Sequence, residues 1–102
     1  MIRTTLGARV KDPDETRVFT MDWTAHLRPP GGSTTETIAT STWILPSDLT
    51  LVSSSIVTGG LKTSALISGG IAGRDYVVTN RITTNESGET LDRSGTIAVR
   101  HR

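Results

Sequence analysis

Hydrophobic and polar positions alternate along most of this chain. From Arg17 to Trp23, RVFTMDW puts Phe19, Met21 and Trp23 on one face and Val18, Thr20 and Asp22 on the other, the two-residue period of a strand with its large side chains turned inward. Thr37 to Leu45, TIATSTWIL, is dense in β-branched residues, is anchored by Trp43, and ends at Pro46, which favours extended backbone in the residue before it. A turn at Pro46-Ser47-Asp48 leads into Leu49 to Val57, LTLVSSSIV, a strand with Leu49, Leu51 and Ile56 as core candidates and a serine run that marks its middle as edge or surface. Thr58-Gly59-Gly60 reads as a hairpin turn from which Leu61 to Ser68 returns. The longest alternation comes next, with Tyr76, Val78, Asn80 and Ile82 on one face and Val77, Thr79, Arg81 and Thr83 on the other. After a polar turn at Asn85 to Glu89, Thr90 to Arg100 forms the last strand, with Ile97 and Val99 pointing one way and Gly95 marking a bulge. No stretch has convincing helical periodicity, and about six or seven strands with close turns predict an all-β antiparallel sandwich.

The stretch Ser68 to Thr84, SGGIAGRDYVVTNRITT, organises this reading. Its glycines at 69, 70 and 73 form a tight corner that delivers Tyr76 onto the strand, as in immunoglobulin-like domains, where a tyrosine near the start of the penultimate strand bonds back to the preceding corner. An ordinary half-buried strand tyrosine is the alternative; on both readings the strand is entered through a corner. The expected structural core is Trp23, Trp43, Tyr76, Val78, Ile82, Ile97 and Val99. Residues 1–15 lack periodicity and read as an N-terminal arm ending in a turn at Asp12-Pro13-Asp14-Glu15, with residues 16–102 as the immunoglobulin-like β-sandwich domain. Arg28-Pro29-Pro30-Gly31-Gly32-Ser33 reads as an exposed loop, since it suits neither ladder nor helix.

Composition narrows the chemistry. At 102 residues and 34% apolar, with four aromatic rings, the chain makes one domain whose core is mostly aliphatic. It has no cysteine, which excludes disulfides, Cys-ligated metals and thiol nucleophiles. The net charge is +1 and the basic residues are scattered, so a nucleic-acid partner is not expected, and Arg100-His101-Arg102 reads as a solvated tail. The first residues lack the apolar core of a signal peptide, and no run approaches the ~20 apolar residues of a membrane span, so a soluble protein without an export signal is expected.

Candidate chemistry is sparse. His26 and His101 stand far apart without metal-ligand spacing, and no serine sits in Gly-x-Ser-x-Gly. A Ser–His hydrolase would be indicated only by a pocket bringing a histidine against a serine and an acid. GGIAG lacks the lysine and helix of a phosphate loop, Asp12 with Asp14 and Glu89 with Asp92 lie at turns or strand ends, and Asn85-Glu86-Ser87 is read as an accidental sequon. No enzyme, metal or cofactor is expected.

The segments DPDETRVFTMDWTAHL, ETIATSTWILPSDLTLVSSSI and SGGIAGRDYVVTNRITT, with Glu-Thr-Leu-Asp-Arg-Ser leading into TIAVRHR, resemble a family of small virion proteins of tailed bacteriophages often described as fiber-tail adaptors. The resemblance covers about residues 12–102; the loop Arg28 to Thr35 departs from it. It implies an immunoglobulin-like sandwich present in the virion as repeated copies, joining tail or neck components, with other virion proteins and copies of itself as partners and the host cytoplasm as its place before assembly. Capsid decoration is a variant of this role. A carbohydrate- or receptor-binding module is the competing class, and it requires Trp23 or Trp43 to be exposed as a stacking platform.

Overall fold

Alternation in sequence becomes alternation in burial. The computed structural model describes residues 8–29 and 35–101 and contains seven strands and one helical turn. In chain order these are β1 (Ala8–Lys11), β2 (Arg17–Asp22), α1 (Thr24–Leu27), β3 (Ile38–Ile44), β4 (Leu49–Ile56), β5 (Lys62–Gly69), β6 (Arg74–Thr84) and β7 (Thr90–Val99). They form two sheets, one ordered β1-β7-β6-β3 and the other β2-β5-β4, an all-β sandwich. Every pairing is antiparallel except β1 with β7.

The core lies between the sheets. Tyr76, Val78, Asn80, Ile82 and Thr84 turn inward from β6, Gly95, Ile97 and Val99 from β7, and Ile38 and Trp43 from β3. They meet Phe19 and Met21 of β2 and Ala65 and Ile67 of β5, together with Leu49, and Trp23 and Leu27 join from the segment after β2. Each aliphatic side chain removed from water in this way stabilises the fold by about 1.5–3 kcal/mol. Trp23, Trp43, Tyr76, Val78, Ile82, Ile97 and Val99 are all buried.

Several elements differ from the sequence reading. Residues 1–7 lie outside the described part, but residues 8–11 of the expected arm form β1, with Ala8 opposite Thr96 and Lys11 opposite Val99. Periodicity could not reveal this strand because its alternation is inverted: Val10 faces water and Lys11 is buried. Most of the Arg28–Ser33 loop, from Pro30 onward, also lies outside the described residues. The helical turn α1 is four residues long and follows Asp22, whose Oδ1 accepts from Thr24 N at 2.9 Å.

Gly95 is not a bulge. It sits in regular register opposite Val78 on the buried face. The register shifts fall instead between Ile38 and Thr40 on β3 and between Leu51 and Ser53 on β4. Leu51 and Ile56, expected in the core, are 38% and 36% exposed. Their partners across the ladder, Ile67 and Thr63, are fully buried, so both side chains are on the core-facing side of β4. The facing sheet ends at β3, covers Leu49, and leaves the rest of this edge strand open.

Candidate functional site

A buried amide ties the two sheets together. Asn80 has no solvent exposure, and its Oδ1 accepts from Trp23 Nε1 at 2.9 Å and from Thr63 Oγ1 at 2.6 Å. Its Nδ2 donates to Ser41 Oγ at 2.9 Å and to Thr42 O at 3.1 Å. Both acceptor and both donor positions are therefore used, which is the condition under which a buried polar network rigidifies a core. Trp23 and Thr63 belong to the β2-β5-β4 side and Ser41, Thr42 and Asn80 to the other, so shearing one sheet past the other breaks the two bonds that Oδ1 accepts.

A second set of ties holds the corner before β6. Tyr76 Oη accepts from Ile71 N at 3.0 Å and donates to Asp48 Oδ2 at 2.9 Å, linking the glycine corner to the β3–β4 turn. Asp48 O accepts from Gly70 N at 3.0 Å. Lys11, inaccessible to solvent, donates Nζ to Gly69 O at 2.6 Å and to Asp12 O at 2.9 Å, and burial draws its pKa down against the nearby Glu15, Asp12 and Asp14. Replacing Tyr76 by Phe keeps the ring and removes both bonds of the hydroxyl. The expected loss is about 1–2 kcal/mol of unfolding free energy in urea titration, with Asp48→Asn losing less because its amide retains an acceptor.

At the other end, Glu36 holds the β6–β7 turn. Its carboxylate accepts from Glu86 N at 2.8 Å, from Ser87 N at 3.1 Å, from Ser87 Oγ at 3.0 Å and from Thr37 N at 3.1 Å. The Glu86 N–H, with those of Ser87 and Thr37, brings its pKa from 4.5 down to about 2 against the opposing effect of burial. A carboxylate lowered on folding stabilises the fold above its unfolded pKa and loses that contribution as pH falls through the folded value. Stability is therefore expected to drop between about pH 4.5 and 2, the window set by these two values. Asp92, lowered by its bonds to Arg81, adds to the same loss. Glu36→Gln should flatten this part of the profile, lowering the melting temperature at pH 7 and converging on the parent near pH 2; equal pH slopes in the two proteins would contradict the assignment.

The same end carries an open cleft of about 380 Å³ lined by His26, Leu27, Pro29, Glu36, Glu86, Ser87 and Glu89. It brings a histidine near a serine and acids, the combination that would indicate hydrolase chemistry. The bonding differs from a triad: Ser87 Oγ donates toward Glu36 and Glu89, no hydrogen bond joins it to His26, and Glu36 is too weak a base to activate it. Among the described residues no cluster of three or more His, Cys, Asp or Glu is placed to hold a metal ion, and no helix is long and apolar enough to cross a membrane. His101 is exposed near the end of the chain, and Asp12 and Asp14 are engaged in their own turn.

The candidate contact surface is the flank formed by the edges β3 and β4. Between Glu36 and Lys62 the chain carries a single charged residue, Asp48, although 21% of the whole sequence is charged. On this flank Ile44, Leu51, Val52, Ile56 and Val57 are exposed among serines and threonines. The opposite flank, where Arg9 stacks over the Phe19 ring at 5.9 Å, carries Arg9, Asp12, Asp14, Glu15, Arg17 and Asp22. Charge protects a sheet edge from pairing with another chain, and only one flank has that protection. The sequence reading named the individual strands but missed Asn80, Lys11 and Glu36 as structural ties; the run from 37 to 61 with one charge was the visible signal for the flank.

A family model described as podophage GP4 fiber-tail adaptor protein gp77 matches residues 11–98. The chain belongs to this family of phage tail adaptors. No curated protein and no solved structure matches it.

Proposed function

We propose that this member of the fiber-tail adaptor family is a non-enzymatic joint of the virion, present in repeated copies and connecting tail or neck components in a symmetric assembly. The family match over residues 11–98 carries the reading. The architecture suits the role: a joint must transmit force without shearing, and Asn80 ties the sheets while Tyr76, Lys11 and Glu36 fix the turns at either end. Its partners are other virion proteins and further copies of itself, its location the virion, and its place before assembly the host cytoplasm.

The sandwich is of immunoglobulin type in this reading. The orders β2-β5-β4 and β7-β6-β3 match the B-E-D and G-F-C sheets of that fold, with β1 lying against the last strand. Trp43 on the third strand and Tyr76 two residues before buried Val78 occupy the places of its core tryptophan and corner tyrosine. Disulfide cysteines are replaced by plain apolar packing.

Sugar recognition is disfavoured because Trp23 and Trp43, at 1% and 6% exposure, offer no ring to stack on. The test is to assemble phage without this chain. Particles with tails that lack their fibers, restored when the chain is supplied, are the expected result; fully fibered, infective particles would refute the role.

A further inference from the structure

Arg93 is a cation without an anion. It lies on the core-facing side of β7, in register with Asn80 and half-buried, with its guanidinium carbon 5.7 Å from the centre of the Trp23 ring. Arg17, Arg28, Arg74, Arg81 and Arg100 each donate to or pair with an oxygen, and Arg9 has an interaction besides its ring contact. Among the described arginines, Arg93 alone has neither a hydrogen bond nor an ion pair. Asp92, next to it in the chain, points to the opposite face and is held by Arg81 through two bonds of 2.9 and 3.0 Å. The ring contact therefore leaves all five N–H donors of Arg93 without an acceptor, in the fork that fits both oxygens of a carboxylate. Packing the stem on a buried ring also removes much of the rotamer freedom that such a contact would otherwise cost.

Charge selects the occupant. Residues 1–7, 30–34 and 102, outside the described part, contain no Asp or Glu, so they hold no acidic side chain in reserve for Arg93. A second copy offers mostly carboxylates already in use: Asp22 accepts from Thr24 N, Asp48 from Tyr76 Oη, Asp75 and Asp92 pair with Arg100 and Arg81, and Glu36 holds the β6–β7 turn. A nucleic-acid backbone is bound by several cations side by side, and the other described arginines are engaged within the chain. We propose that Arg93 is a docking residue that takes an aspartate or glutamate side chain of a different virion protein in a bidentate ion pair. The site rests on the adaptor role and deepens it, because a joint has two sides. The neutral β3/β4 flank is one; Arg93, on β7 beside β1 and packed on the tryptophan that follows β2, belongs to the other.

Competition for places in the particle tests this in the full chain. Arg93→Met keeps an unbranched stem on Trp23 and removes the charge, and thermal unfolding verifies that the variant folds. When Arg93→Met and parent chains are supplied in equal amounts to phage lacking their own copy, particles should take up the parent in about 30-fold excess, the loss expected for one partner of a hydrogen-bonded charge pair. Equal uptake of the two folded chains overturns the proposal. Phage carrying Arg93→Glu identify the source of the carboxylate. Their second-site revertants should replace an acidic residue of another virion protein by lysine or arginine; revertants confined to acidic residues of this chain would make the partner a second copy and overturn the assignment. The adaptor role fails separately. Arg93→Met particles with the parent's amount of chain and all their fibers remove Arg93 from docking and leave that role standing, whereas fully fibered particles made without the chain defeat the role itself.

Discussion

Asn80→Leu is expected to destabilise the protein by about 3–5 kcal/mol, enough to unfold much of a small domain at 37 °C. The substitution is nearly isosteric, so the loss does not come from a cavity. It strands Trp23 Nε1 and Thr63 Oγ1 in the dry interior and removes the amide's part-buried bonds to Ser41 Oγ and Thr42 O. Asn80→Asp separates polarity from charge. Its Oδ1 keeps the bonds from Trp23 and Thr63, but the second oxygen faces Thr42 O, where the native amide donates. A buried carboxyl in that place has a raised pKa and folds in its neutral form, so stability is retained in acid and lost as pH rises above the unfolded value of about 4. Urea titrations at pH 4 and pH 7 check this: Asn80→Asp should close much of the gap to the parent at the lower pH, and a gap independent of pH would show that the amide bonds do not matter as described.

The second large effect is expected at Gly69. Its φ is +90°, and a Cβ there would lie 2.7 Å from Asp48 O, a backbone atom that cannot step aside without moving the turn Tyr76 is bonded to. Gly73 has almost the same φ, +89°, but a Cβ there meets nothing within 4 Å. The pair divides two costs that usually come together. Gly73→Ala should cost about 1–2 kcal/mol from backbone conformation alone, and Gly69→Ala about 3 kcal/mol or more because overlap is added. Equal losses at the two positions in thermal or urea unfolding would mean that the close approach to Asp48 contributes nothing.

The contrast between these residues shows what the sequence made legible. Period-two alternation located β2, β6 and β7, because each has one buried face and alternation records just that, while β-branched density before Pro46 marked β3 and the turn at Thr58-Gly59-Gly60 marked β5. Tyr76 could be placed at the corner because three glycines precede it and a single tyrosine needs a partner for its hydroxyl. Lys11 and Glu36 were not legible, since a charged residue in sequence signals surface unless its partners are known, and those partners, Gly69 and Glu86 with Ser87, are distant along the chain. Leu51 and Ile56 were read correctly as to side and wrongly as to cover, because alternation reports which way a side chain points and not whether anything lies opposite. The flank was visible only as a shortage of charge from 37 to 61, and its position at two adjoining edges required the topology.

In the proposed role, a stiff sandwich is useful to the virion because one flank is neutral and uncovered. A density map of intact particles that resolves the strands of this chain tests it most directly. The prediction is that the β3/β4 flank is covered by protein, with Leu51 and Ile56 out of water, while the charged β1/β2 flank meets solvent or oppositely charged groups. A chain found in the tail with Leu51 and Ile56 still facing water would contradict it.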